Sequence, residues 1–209
     1  MNANGFLETV QEKRRTQLHR LGSDKYLIAA TGANLVEGPV LRSVARDAAS
    51  GHETFRSWAG SEDGPAAETF TTAAETEREH LDRLRERLDD DTGEIVLDGA
   101  VRDALAAAET TAERAGALVG RGIVRDRTLL QVVNFFVNEG DVGSADFARE
   151  LRSDAGDQRD GGADLLERVC EGEDDWGRAQ AAAERVVGAA YEEYADALEA
   201  MNVDPKPVC

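Results

Sequence analysis

Apolar residues recur in steps of three and four along most of this chain, the spacing that places side chains on one face of a helix. Leu41, Val44, Ala48, Phe55 and Ala59 form one such stripe, with Trp58 beside it. Phe70, Ala73, Leu84 and Leu88 form a second. Val132, Phe136, Phe147 and Leu151 form a third, and Trp176, Ala179, Ala183, Val187, Ala190, Tyr194 and Leu198 a fourth. Alternating runs rich in Val, Ile and aromatic residues, which mark strands, are nearly missing. Residues 94–97, E-I-V-L between Gly93 and Gly99, are the only short run of that kind. The pattern predicts an all-α protein whose amphipathic helices bury their stripes against one another.

Start and stop residues sharpen the boundaries. An N-terminal helix is expected over about 4–21, stopped by Gly22, and Ser23 can open a short one to about 31. Pro39 suits the first turn of a helix to about 59, and Pro65 the first turn of a helix ending in Asp89-Asp90-Asp91. A connecting helix is expected over 98–119, ending at Gly120, and a third long one over 124–153. The polar, glycine-rich D-A-G-D-Q-R-D-G-G at 154–162 reads as a loop. A short helix near 165–171 and a fourth long helix over 174–201 follow, and the tail 202–209 is expected to fray. These elements predict one domain. Residues 1–38 supply additional N-terminal helices, 39–201 a four-helix bundle with its connecting helix, and 202–209 a tail.

Polar residues interrupt the stripes at four places: His52, Glu77, His80 and Glu139. Glu77-x-x-His80 points a carboxylate and an imidazole to the same side of the second stripe. A buried carboxylate is costly unless it is paired, hydrogen-bonded or bound to a metal. Helix bundles that hold two metal ions use a Glu-x-x-His pair from each of two helices. The only histidines are His19, His52 and His80, so a second such pair cannot occur later in the chain. Glu77 and His80 are therefore either metal ligands or a hydrogen-bonded core pair. With His52 and Glu139 they would make a mononuclear site of two histidines and two carboxylates, suited to Fe, Mn or Zn.

H-E-T-F-R-S-W-A (52–59) and E-T-F-T-T-A-A-E-T-E-R-E-H (68–80), with a looser match at N-E-G-D-V-G-S-A-D-F-A (138–148), resemble the rubrerythrin-type ferritin-like family. The resemblance implies a ferritin-like four-helix bundle. Its members hold two irons with a Glu on the first helix, Glu-x-x-His on the second, a Glu on the third and a Glu/His pair on the fourth. Glu77 and His80 match the second-helix pair, and Glu139 the third-helix Glu. The first-helix position falls on Ala48, beside Asp47, and the fourth helix offers Glu184 but no histidine. The paired C-x-x-C iron module of rubrerythrins proper is missing. The resemblance thus implies a kept bundle with a degraded di-iron centre.

Charge narrows the function classes. The chain carries 42 acidic and 24 basic residues, a formal charge of −18, and only Lys13, Lys25 and Lys206 are lysines. With 41% hydrophobic residues this is a folded protein with an acid-rich shell, as fits a halophile. Such a charge argues against direct nucleic-acid binding, which needs basic patches. Arg83, Arg85 and Arg87, and Arg121, Arg125 and Arg127, read as solvated helix faces. Cys170 and Cys209 form no C-x-x-C pair, and whether they bridge is open. No signal peptide or membrane span is present, which predicts a soluble, cytoplasmic protein. A homodimer formed through the 98–119 helix or the N-terminal helix, or a different protein partner, is expected. The leading functional expectation is a non-catalytic bundle with a vestigial metal site. The alternatives are a metal-dependent, peroxide-handling oxidoreductase and, more weakly, a regulatory protein resembling transcription anti-termination factors.

Overall fold

The computed structural model describes residues 1–88 and 97–206. Among them the secondary structure is entirely helical: α1 (Ala3–Lys13), α2 (Arg15–Leu21), α3 (Lys25–Thr31), α4 (Glu37–Ala59), α5 (Gly64–Arg87), α6 (Ala100–Ala106), α7 (Thr111–Glu139), α8 (Val142–Val169) and α9 (Glu173–Ala200). The E-I-V-L run, the Asp89–Asp91 helix end and Cys209 lie outside the described residues, apart from Leu97. No described helix is long and apolar enough to cross a membrane.

Local chemistry sets the helix ends. The Asn2 side chain accepts the Gly5 N–H at the start of α1, and Pro65 occupies the first turn of α5. Thr110 and Glu113 form a reciprocal capping box that opens α7. At the other end Gly140 takes a left-handed φ of 74°, so that its N–H reaches Val137 O and the Asp141 N–H reaches Phe136 O. This paired return satisfies the last carbonyls and stops the helix. Asp141 then caps α8 by accepting the Ser144 N–H.

These caps correct the predicted middle of the chain. The 98–119 helix is two pieces, α6 and the start of α7, broken where the capping box begins a new helix. The 124–153 helix is likewise two pieces, divided at Gly140, and the third stripe runs across both. Gly120 does not end a helix. It lies inside α7, where a Cβ would sit 2.6 Å from Ala183 O of α9, so a larger residue does not fit. At Gly116 the same atom would fall 2.1 Å from Ala179 O, so α7 and α9 touch backbone to backbone. The predicted loop at 154–162 is helical within α8. There Gly162 faces Ala115 O and Val119 of α7, and only a hydrogen atom fits easily between them. The glycines here serve close helix approach.

Helices α4, α5, α7 and α8 share one apolar core, with Leu41, Ala48, Leu84, Val132, Phe136, Phe147 and Leu151 at its centre. A second core joins the far ends of these helices to α1, α6 and α9 through Phe6, Phe55, Phe70, Leu118, Trp176 and Val187. The fourth predicted stripe packs against α7 in this second core through Ala179, Ala183 and Val187, and its end joins Leu21 through Ala190, Tyr194 and Leu198. Nor is the tail frayed as far as it is described. Lys25 Nζ donates to the carbonyls of Asp204 (2.8 Å) and Lys206 (2.5 Å), and Tyr194 donates to Pro205 O.

Candidate functional site

Glu77 and His80 sit on the face of α5 turned toward α7 and α8, and both are buried, at 0% and 2% exposure. Arg121, from the middle of α7, meets them at 2% exposure. Its Nη1 donates to Glu77 Oε1 at 2.8 Å, and its Nη2 donates to the Asp47 carbonyl of α4 at 3.0 Å. Gln158 of α8 donates its amide to the same Glu77 oxygen at 3.0 Å. The Arg121 guanidinium also lies over the Phe55 ring, 5.2 Å from its centroid.

One turn further along α7, Arg125 pairs through Nη1 with the Asp47 carboxylate. Its Nη2 lies 4.0 Å from Glu77 Oε2. His80 completes the cluster: Nε2 donates to Asp154 Oδ2 of α8 at 2.8 Å, while Nδ1 stands 3.9 Å from Glu77 Oε2. Asp154 is half-exposed and forms the solvent side of this chain of contacts. Glu77 Oε2, His80 Nδ1 and the Arg125 Nε and Nη2 have no hydrogen-bond partner within the protein. Four helices thus contribute to one charged layer inside an apolar bundle.

Gly51 makes room for this layer. A Cβ at Gly51 would stand 2.5 Å from Arg121 Nη2 and 3.2 Å from Glu77 Cγ. The small residue on α4 leaves the volume that the guanidinium fills. Further out, Arg83 and Arg87 stack on Phe147 of α8, 4.6 and 4.3 Å from the ring centroid, and both stay exposed, as the reading of a solvated helix face expects.

The electrostatics follow from the geometry. Burial alone would push the Glu77 carboxyl up. The Arg121 charge, the hydrogen bond from Arg121 and the nearby His80 imidazole outweigh it and hold the carboxyl down at about 2. Burial pulls His80 down, but Glu77 and Asp154 on either side raise it above its ordinary value. Burial lowers the Arg125 guanidinium to about 10.

Of the four residues singled out from sequence, the fold brings Glu77 and His80 together. His52 is half-buried one turn away, where Nδ1 donates to Ala74 O at 2.9 Å. Glu139 is exposed at the last position of α7. At about 1.5 Å of rise per residue it lies roughly 20 Å along the helix from Arg125. The expected four-residue metal set does not assemble because α7 ends there and the third stripe turns a corner at Gly140. Among the described residues, no three His, Cys, Asp or Glu side chains are grouped to hold a metal ion. Of the ligating atoms that do meet, Glu77 Oε1 is taken by Arg121 and Gln158 and His80 Nε2 by Asp154, which leaves only Glu77 Oε2 and His80 Nδ1 without a partner. A di-iron centre does not fit this donor set.

The sequence pattern does not expose these partners. It places Arg121 and Arg125 on a solvated face, yet both are buried, and it places Asp154 and Gln158 in a loop that is helix. The signal that finds the arginines is periodic: Leu118, Arg121, Arg125, Thr128 and Val132 follow three- and four-residue steps once the helix is continued through Gly120. Compared with protein-family models, with curated proteins and with solved structures, the chain matches none.

Proposed function

We propose that this chain is a rubrerythrin-related, ferritin-like helical bundle that acts without catalysis, and that the Arg121 guanidinium stands where its metal-binding relatives carry positive metal charge. The observation that carries this reading is the 2.8 Å contact between Arg121 Nη1 and Glu77 Oε1. A carboxylate in a bundle core needs a cation or several donors. In a dinuclear site the metals supply that charge. Here a guanidinium supplies it, with the Gln158 amide as second donor, and Gly51 leaves the space. Such a network orients four helices through directional contacts. The work of the protein on this reading is structural or carried by a partner, with a homodimer as the simplest assembly.

The competing reading, a mononuclear metal oxidoreductase, calls for His52 and Glu139 beside Glu77 and His80. The backbone hydrogen bond of His52 and the remote, exposed Glu139 weigh against it. Elemental mass spectrometry on protein made in a high-salt host and purified without chelators separates the two. The proposal expects no stoichiometric Fe, Mn or Zn. About one ion per chain, lost in Glu77→Ala, would establish the metal reading instead.

A further inference from the structure

A cleft of about 300 Å³ opens between α3, α4, α6, α7 and α9, directly in front of Arg121 and Arg125. We propose that it binds a small organic carboxylate with an apolar body. Four guanidiniums line it, those of Arg46, Arg102, Arg121 and Arg125, in a chain whose net charge is −18. Three carboxylates share the cleft, and two of them have evident work. Asp47 is engaged by Arg121 and Arg125. Glu193 accepts the Val101 N–H at the start of α6, and burial raises its carboxyl toward the neutral form. The third, Asp98, lies at the α6 end of the cleft.

On the cationic side, Arg102 is paired with Glu53, and Arg121 is held by Glu77 and Asp47. Two groups have donors to spare. Arg46 is exposed on α4, and its charge acts on Glu193 and Tyr26 of the same cleft without a direct hydrogen bond to either. Arg125, 2% exposed at the back of the cleft, keeps its Nε and Nη2 without a hydrogen bond in the protein, Nη2 standing 4.0 Å from Glu77 Oε2. A planar guanidinium edge of that kind matches a carboxylate in two parallel hydrogen bonds. The walls around it are Val101, Val124, Val186 and Ala190, which suit a hydrocarbon body. The volume lies at the lower end of the usual range for ligand sites, so the occupant is small. Together these features favour a flat carboxylic acid over a bare inorganic anion, which would leave the apolar walls uncovered.

The test is isothermal titration of the whole chain with benzoate and, separately, with inorganic phosphate, at constant ionic strength. Benzoate is expected to bind with a dissociation constant at or below the millimolar range and phosphate at least tenfold more weakly. Arg46→Gln should weaken benzoate about tenfold, and Arg46→Glu should abolish it. Arg46 lies outside the buried network, so both variants should keep the wild-type circular dichroism. Ser50→Phe, at the cleft lining, should block benzoate by filling the space. No benzoate binding to the wild type would overturn the proposal. So would an affinity that Arg46→Glu and Ser50→Phe leave unchanged, or tighter binding of phosphate than of benzoate.

Discussion

Arg121 Nη1 and Glu77 Oε1 lie 2.8 Å apart, each from the middle of a long helix and each at 2% exposure or less. Ion pairs in such positions act asymmetrically. Forming one from water gains little net stability, but removing one partner strands the other charge in a medium that cannot solvate it. The pair therefore sets which helices may face each other more than it adds to overall stability.

Gly51→Ala tests the packing of this pair. The new methyl group would press on the Arg121 guanidinium, which Glu77, Gln158 and Asp47 keep from moving aside. The expected loss of stability is about 2–3 kcal/mol by chemical denaturation. In an Arg121→Met background the same substitution should cost less than about 1 kcal/mol, because the two changes share one space. Equal costs in both backgrounds would show that Gly51 matters for another reason.

Two titrations shape stability against pH, with opposite signs. The Glu77 carboxyl lies at about 2 in the folded protein against 4.5 ordinarily, so its contribution is complete above about 4.5 and is lost as pH falls toward 2. Its size is about 3 kcal/mol, from some 1.4 kcal/mol for each tenfold change in proton affinity. His80 is raised, so its contribution is complete below its ordinary 6.5 and is lost as pH rises through the higher folded value. Urea denaturation across pH should place the best stability from this pair between about 4.5 and 6.5. His80→Gln should remove the decline above that window and leave the acid limb in place. A His80→Gln curve parallel to wild type at neutral pH would rule out the His80 contribution.

Helical glycines should divide into two kinds. Gly116→Ala puts a Cβ 2.1 Å from a backbone oxygen of α9 and should cost more than about 3 kcal/mol or prevent folding. Gly156, inside α8, has open space where its Cβ would go, and Gly156→Ala should stabilise by about 0.5–1 kcal/mol. Melting temperatures of the two variants, measured side by side, check the contrast. Similar values would mean that the α7–α9 seam is looser than the close approach implies.

The limits of sequence reading appear at the same residues. Residues 39–59, the start near Pro65 and the 174–201 helix are legible because Pro39, Pro65 and the apolar stripes mark them locally. Gly120 and the glycines at 156–162 read as breakers, since a glycine's usual local effect is to weaken a helix. Their role depends on another helix lying close by, which the sequence does not display. The Glu77/His80 pair is visible by its spacing. Its counter-charges are not, because Arg121 and Arg125 look like any helix-face arginines until Gly120 and Gly122, which bring α9 and α8 against α7, show that this stretch is enclosed.

The central claim, that a guanidinium serves Glu77 as its cation, is tested most directly by a double-mutant cycle of Arg121→Met and Glu77→Leu in denaturant unfolding. Each single variant should lose about 3–5 kcal/mol by stranding its partner. The double variant should lose far less than the sum, leaving a coupling of about 2 kcal/mol or more. Additive losses, or an Arg121→Met protein as stable as wild type, would contradict the claim and return Glu77 to the role of a ligand awaiting a metal.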